Sequence, residues 1–131
     1  MAIQYSTTHR TNAMTQLATD VGTSAVIKIW TGTVPATCAT ADSGTLLVTF
    51  AGNVAQFGTA AAAVLTVSAI VNATAGNTGT AGYFRVYPNA ATSTNAVIQG
   101  TVGVDMTLTN TSITSGQTCA FTSMTVTAFG V

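Results

Sequence analysis

The first 21 residues carry the only helical pattern of apolar positions in the chain. Between Ser6 and Val21 the apolar side chains recur at intervals of three and four residues, at Met14, Leu17, Ala18 and Val21. Ser6 or Thr7 is a good N-cap residue, and Gly22 stands where a helix commonly ends. The pattern therefore predicts a short amphipathic helix that ends at Val21.

After Gly22 the pattern changes to short β-branched and alternating runs, which are typical of strands. The runs are bounded by loops rich in Gly, Asn, Ser and Pro at residues 33–44, 72–82 and 110–116. The alanine run Ala60–Ala63 could begin a helix, but the β-branched run after it favours a strand. The predicted strands are Ser24–Trp30, Leu46–Phe50, Val64–Val71, Tyr83–Tyr87, Ala96–Val102, Asp105–Leu108 and Ala120–Phe129.

This arrangement predicts a mainly β fold, an antiparallel β-sandwich or barrel (jelly-roll-like) with a short N-terminal α-helix. No strand–helix–strand alternation is present, so a parallel sheet is not expected. The last strand changes phase between Phe121 and Met124, and a β-bulge near Ser123 would explain it. We expect one domain of residues 1–131, with an arm and helix in residues 1–22 and the β-sandwich in residues 23–131.

Charge is very scarce in this chain, and its scarcity excludes several classes of protein. Charged residues make up 5% of the sequence and the net charge is zero, while 28 residues are Thr and 22 are Ala. Three basic side chains cannot form a nucleic-acid-binding stripe, and the composition is too hydrophobic for intrinsic disorder. A surface of hydroxyls and amides does not repel a second copy, so we expect a chain that packs permanently against other protein.

Membrane and export signals are also missing from the pattern. The most apolar stretch, residues 57–73, is interrupted by Thr59, Thr66, Ser68 and Asn72, so we expect no membrane span. The first residues have no apolar run, and we expect no secretory signal peptide.

Candidate chemistry can be tested by elimination, because few side chains are able to carry it. His9 is the one histidine and lies at the start of a terminal helix, while Asp20, Asp42 and Asp105 fall at a helix end, in a turn and at the first position of a strand. Cys38 and Cys119 lack metal-ligand spacing; a bridge between them is possible, but we expect two reduced, mostly buried thiols. The sequence predicts no enzyme activity, no catalytic residue, no cofactor and no metal site.

Two groups of residues are candidates for contacts with other proteins. Tyr83, Arg85 and Tyr87 share one face of a predicted strand and form either a contact patch or an exposed face on which Arg85 stacks against a tyrosine. In the N-terminal arm, Ile3 and Tyr5 are more apolar than a free tail requires. His9 and Arg10 have the wrong sign for the first turn of a helix, so we expect them to be solvated or bound to a partner.

Three segments together resemble small virion proteins of tailed bacteriophages. They are the opening M-A-x-Q-Y-S-T-x-x-R-x-x-x-M, the stretch AVIKIWTGTVPATCATADSGTLL, and the run GTAGYFRVY…VIQGTVG…DMTLTNTSITSGQT. The resemblance covers nearly the whole chain. It implies a structural component of the phage particle, and within that class a capsid decoration (cement) protein, which typically sits as trimers on the outer shell.

The expected function is therefore non-enzymatic stabilisation of a capsid in the virion, after assembly in the host cytoplasm. The expected partners are further copies of the chain, in a homo-oligomer expected to be a trimer, and the major capsid protein or other virion proteins. One alternative is a tail or neck component, such as a tube, connector or fibre-associated protein. Another is a carbohydrate-binding module in which exposed Trp30, Tyr83 and Tyr87 stack on sugars.

Overall fold

The protein is described from a computed structural model, which covers residues 3–51, 60–67, 72–88 and 96–128. Its one helix in these ranges is α1 (Thr7–Val21). The longer strands are β1 (Val26–Trp30), β2 (Leu46–Phe50), β3 (Val64–Thr66), β6 (Tyr83–Tyr87), β7 (Ile98–Thr101), β8 (Met106–Leu108) and β11 (Phe121–Thr127). Four two-residue strands complete the set: β4 (Ala73–Thr74), β5 (Gly79–Thr80), β9 (Ser112–Ile113) and β10 (Thr118–Cys119).

The helix is built as its sequence predicts. Ser6 caps the first turn, and its hydroxyl accepts a hydrogen bond from the His9 amide at 3.2 Å. Gly22 ends the helix with φ +70°, and its N–H donates to the Ala18 carbonyl at 3.0 Å. One face of α1 packs on β3, where Met14 joins a small core cluster with Leu65.

The strands form antiparallel sheets, which confirms the predicted mainly β fold. The largest sheet has the order β2-β1-β6-β7, and a second has the order β3-β11-β8; β10 pairs with β4 and β5 with β9. Side chains of both larger sheets meet in one core that includes Ile27, Phe84, Met106 and Met124. The arrangement is therefore consistent with a β-sandwich.

The strand boundaries agree with the pattern in most places and differ in the loops. The predicted bulge in the last strand is confirmed, since the β11–β8 register shifts between Phe121 and Ser123. The short strands β4, β5 and β9 lie inside the predicted loops, and β10 was not predicted. A two-residue strand is too short to show an alternating pattern of apolar and polar residues. These strands are therefore recognised only by their pairing in the folded chain. The predicted strand Val64–Val71 is confirmed as far as Thr66, and residues 68–71 lie outside the described ranges.

The alanine run before β3 is a tight turn and not the start of a helix. Ala61 and Val64 exchange both backbone hydrogen bonds at 2.9 Å, and the two alanines between them have φ +49° and +65°. Positive φ at both central positions is the geometry of the hairpin turns that usually contain Asn or Gly. The Thr11 hydroxyl of α1 accepts the Ala63 amide at 3.0 Å and holds this turn against the helix.

The connection between β1 and β2, residues 31–45, is long for two adjacent antiparallel strands, which are commonly joined by two to five residues. It folds back over the outer face of the β2-β1-β6-β7 sheet, and we call it the strap. Its base lies very close to β6. A Cβ atom placed on Gly82 would stand 1.9 Å from the Gly32 carbonyl oxygen, and the Gly82 amide donates to the Trp30 carbonyl at 2.8 Å.

This close approach predicts that Gly82 tolerates no side chain. Gly82→Ala should lower the free energy of unfolding by about 2–3 kcal/mol, because backbone on both sides must move. Gly76→Ala is the matched control, since no atom lies within 4 Å of a Cβ there. Denaturant unfolding of both variants measures the difference, and equal stabilities would show that the strap does not approach β6 in this way.

Candidate functional site

The strap is fastened to the sheet by one fully buried arginine. Arg85 lies in the middle of β6, and its side chain has 0% exposure. Strand alternation directs Phe84 and Val86 into the core between the sheets. It directs Tyr83, Arg85 and Tyr87 to the opposite face, beneath the strap. All five residues of β6 are therefore buried, on two different sides.

The guanidinium group of Arg85 uses all of its hydrogen-bonding capacity. It makes five hydrogen bonds, which matches its five N–H donors. Nη1 donates to the Thr40 carbonyl at 2.8 Å and to Asp42 Oδ1 at 2.6 Å. Nη2 donates to the Thr37 carbonyl at 3.0 Å, and Nη2 and Nε share Gln99 Oε1 at 2.9 and 3.1 Å.

The neighbours of Arg85 extend the same network across the sheet and along the strap. Gln99 lies opposite Arg85 on β7, and its Nε2 donates to the Pro35 carbonyl at 2.7 Å. The Tyr87 hydroxyl donates to Asp42 Oδ1 at 2.5 Å. The Tyr83 hydroxyl donates to the Ser43 carbonyl at 2.6 Å and accepts the Ser43 amide at 3.0 Å. These side chains supply hydrogen bonds to backbone groups of the strap, which in a sheet would pair with a neighbouring strand.

The electrostatics of this cluster depend on the Asp42 carboxylate. Burial opposes the charge on Arg85, but hydrogen bonds and charge from Tyr87 and Asp42 outweigh it and raise the pKa of Arg85. Lys28 lies directly opposite Arg85 on β1, a repulsive placement for two cations. The Lys28 ammonium stands 5.0 Å from the centre of the Tyr87 ring, which offers it a cation–π contact.

Several expectations about β6 need correction. The two interpretations of Tyr83, Arg85 and Tyr87 both required an exposed strand face, and in the folded chain the strap covers it. The sugar-stacking hypothesis also required exposed tyrosines, whereas Tyr83 and Tyr87 are buried and Trp30 is half-buried against Tyr83 with ring centres 6.3 Å apart. An alternating strand pattern does not reveal that a distant loop covers its polar face.

The arm residues are placed differently. Ile3 is 79% exposed and Tyr5 is 42% exposed, as the sequence suggests for a contact segment. His9 is exposed and stacks on Tyr5, with ring centres 5.3 Å apart. Arg10 is half-buried, and its Nη2 donates to the Ala128 carbonyl at 2.9 Å. Arg10 therefore fastens the helix to the end of β11, a role that the sequence did not indicate.

The cysteines are unpaired, and they differ in environment. Cys119 is buried, and burial raises the pKa of its thiol. Cys38 is half-buried in the strap, so the expectation of burial is confirmed fully only for Cys119. In the ranges that the structure describes, no group of three or more His, Cys, Asp or Glu side chains could hold a metal ion.

Asp42 and Gln99 are the residues of the cluster that sequence reasoning missed. The sequence predicts Asp42 as a turn residue and carries no separate prediction for Gln99. An arginine in the middle of a strand indicates a carboxylate partner, and in this chain the partner must be one of three acidic residues. That partner is 43 residues away in sequence.

Comparison with known proteins identifies no relative. No protein-family model, curated protein or solved structure matches the chain. No helix in the described ranges is long and apolar enough to span a membrane.

The network predicts that Arg85 determines whether the strap stays on the sheet. Arg85→Met should cost about 3 kcal/mol, near the lower end for a broken buried pair because the Asp42 side chain keeps 28% exposure. Cys38 in the strap should then react faster with a thiol reagent, while Cys119 stays protected. Lys28→Met, at the position opposite Arg85 on β1, is the matched control and should lower the free energy of unfolding by less than about 1 kcal/mol. Unchanged Cys38 labelling in Arg85→Met would show that the strap is held by other contacts.

The buried tyrosine predicts a loss of stability at high pH. Burial and the hydrogen bond to Asp42 raise the pKa of Tyr87 to about 12, against the opposing influence of Arg85. A tyrosine in the unfolded chain has a pKa of 10.0, so Tyr87 adds to the free energy of unfolding below pH 10. This contribution is lost as the pH rises from 10 to about 12. Tyr87→Phe should flatten the fall in unfolding free energy over this range, and Tyr5→Phe should leave it. An equal slope in wild type and Tyr87→Phe would contradict this assignment.

Proposed function

We propose that the chain is a non-enzymatic structural protein of a tailed-phage particle, specifically a decoration protein that packs on the capsid shell and stabilises it. The observation that carries the proposal is the use of charge. Each of the six charged side chains has a partner within the chain. The pairs are Arg10 with the Ala128 carbonyl, Asp20 with Gln16, Lys28 with the Tyr87 ring, Arg85 with Asp42, and Asp105 with the Thr101 amide.

A surface made in this way favours assembly through uncharged contacts. Ion-pair networks with a partner would require charged side chains that this chain already uses in contacts within its own fold. Threonine, asparagine and small apolar groups remain for contacts, and such contacts depend weakly on salt. The resemblance to small phage virion proteins supports the same interpretation, and the exposed apolar arm supplies one surface for it.

The candidate catalytic groups are also engaged in structural roles. The Asp42 carboxylate accepts hydrogen bonds from Arg85 and Tyr87, and Asp105 accepts the Thr101 amide at 2.8 Å. His9 stacks on Tyr5 at the start of α1. These arrangements support the proposal of a structural protein over that of a hydrolase, which would need a base and a nucleophile in mutual contact.

The proposal is tested on purified particles of the phage that encodes the chain. We expect the protein in the particles in many copies, with cryo-EM density on the outer shell, and we expect it to stay bound in 1 M NaCl. A salt wash that strips the protein would contradict uncharged attachment. Absence from the particles would overturn the proposal, and density confined to the tail or neck would assign the alternative virion role.

The binding segment is best tested by point substitutions. Deletion of residues 1–22 would remove Met14 and Val21 from the core and damage the fold. Ile3→Ser with Tyr5→Ser leaves the helix intact and should weaken shell or subunit binding at least tenfold. Thr15→Ser, on an exposed part of the helix, is the control and should bind normally.

A further inference from the structure

A groove of about 350 Å³ opens between β7 and β11, where the two larger sheets separate. Apolar side chains of both sheets form part of its lining, among them Phe84, Ile98 and Met124. Asp105 and Thr125 belong to its polar lining. A cleft of mixed character at the edge of a sandwich suits an extended peptide with alternating apolar and polar side chains.

The strand beside the groove lies at an edge of its sheet in the part of the chain that the structure describes. β7 is the last strand of its sheet and pairs with β6 alone among the described strands. The backbone of Thr101 faces away from β6 and is already bonded within the chain: its amide donates to the Asp105 carboxylate at 2.8 Å, and its carbonyl accepts the Asp105 amide at 2.9 Å. The backbone of Gln99, two residues earlier, faces the same outer side and is the position on this edge where another strand can pair. An edge position of this kind is a template for another strand.

The chain itself offers a segment that matches this edge. The described residues contain three exposed large hydrophobic side chains: Ile3, Tyr5 and Val104. Two belong to the arm and alternate with Gln4 as in a strand, and the third precedes Asp105 at the groove. Ile3 is 79% exposed, so the arm does not fill the groove of its own chain. One contact between copies would cover all three side chains.

Charge does not oppose a contact between the two surfaces. Asp105 is the one charged residue in the lining of the groove, and it is negative. Residues 3–10 contain no acidic side chain. The arm therefore meets no like charge at the groove.

We propose that the arm Ile3–Tyr5 of one copy adds as a short strand to the outer edge of β7 in a second copy, with Ile3 in the groove. The inference rests on the proposed assembly function and specifies the contact between copies. Each copy gives an arm and receives one. Such head-to-tail contacts can close into a ring, of which the expected trimer is an example.

Disulfide trapping between two different single variants tests this contact. Ile3→Cys and Thr125→Cys are prepared separately in a Cys38→Ser background and mixed at tens of micromolar under mild oxidation. Thr125 is exposed and lines the groove. Thr111→Cys, also exposed but outside the groove, replaces Thr125→Cys in the control. The proposal expects a mixed disulfide at least tenfold more abundant with Thr125→Cys than with Thr111→Cys.

Equal trapping at both positions, or none at either, would overturn the proposal. A bond that forms only within one chain, in the double variant Ile3→Cys/Thr125→Cys, would also overturn it. Val104→Asp adds a readout that needs no disulfide: it should weaken self-association in sedimentation at least tenfold, whereas Val104→Leu should not. Particle binding without arm trapping would refute this contact alone, and arm trapping by a protein absent from particles would refute the proposed function alone.

Discussion

The hydrogen-bonded ion pair of Arg85 with Asp42 is the interaction on which the outer half of the molecule depends. A guanidinium group without contact with water is costly unless every donor finds an acceptor. Here the acceptors come from two places, β7 through Gln99 and the strap through Thr37, Thr40 and Asp42. The hydrogen bonds of Arg85 can all form only when the strap lies on the sheet. Arg85 can therefore be buried only when residues 31–45 occupy this position.

The remaining contacts of the strap have the same character. Tyr83 and Tyr87 bond to Ser43 and Asp42 through their hydroxyl groups. Gly82 leaves room for the strap backbone at Gly32. The strap carries little apolar bulk of its own, and directional polar contacts replace the packing that a hydrophobic loop would use. Such contacts define one geometry more sharply than apolar packing does, because each requires a particular atom at a particular distance.

Local chemistry was enough to predict the helix, most strands and the bulge near Ser123. Caps, alternation and phase are properties of neighbouring residues, and they survive folding unchanged. The two-residue strands, the alanine turn before β3 and the covered face of β6 depend on residues far apart in sequence. For Arg85 the sequence specified the strand and the face, but not what covers that face, since Asp42 lies in a separate loop. Exposure of Ile3 and Tyr5 was predictable, because their segment precedes the helix and has no neighbouring strand pattern.

The central claim is that the Arg85 side chain is immobilised by the strap, and NMR of its guanidinium protons tests this most directly. If five hydrogen bonds hold the group, its Nη protons should give separate signals at neutral pH, and its Nε proton should exchange with solvent as slowly as the amides of β6. A single averaged Nη signal with fast solvent exchange, as for a free arginine, would contradict the claim.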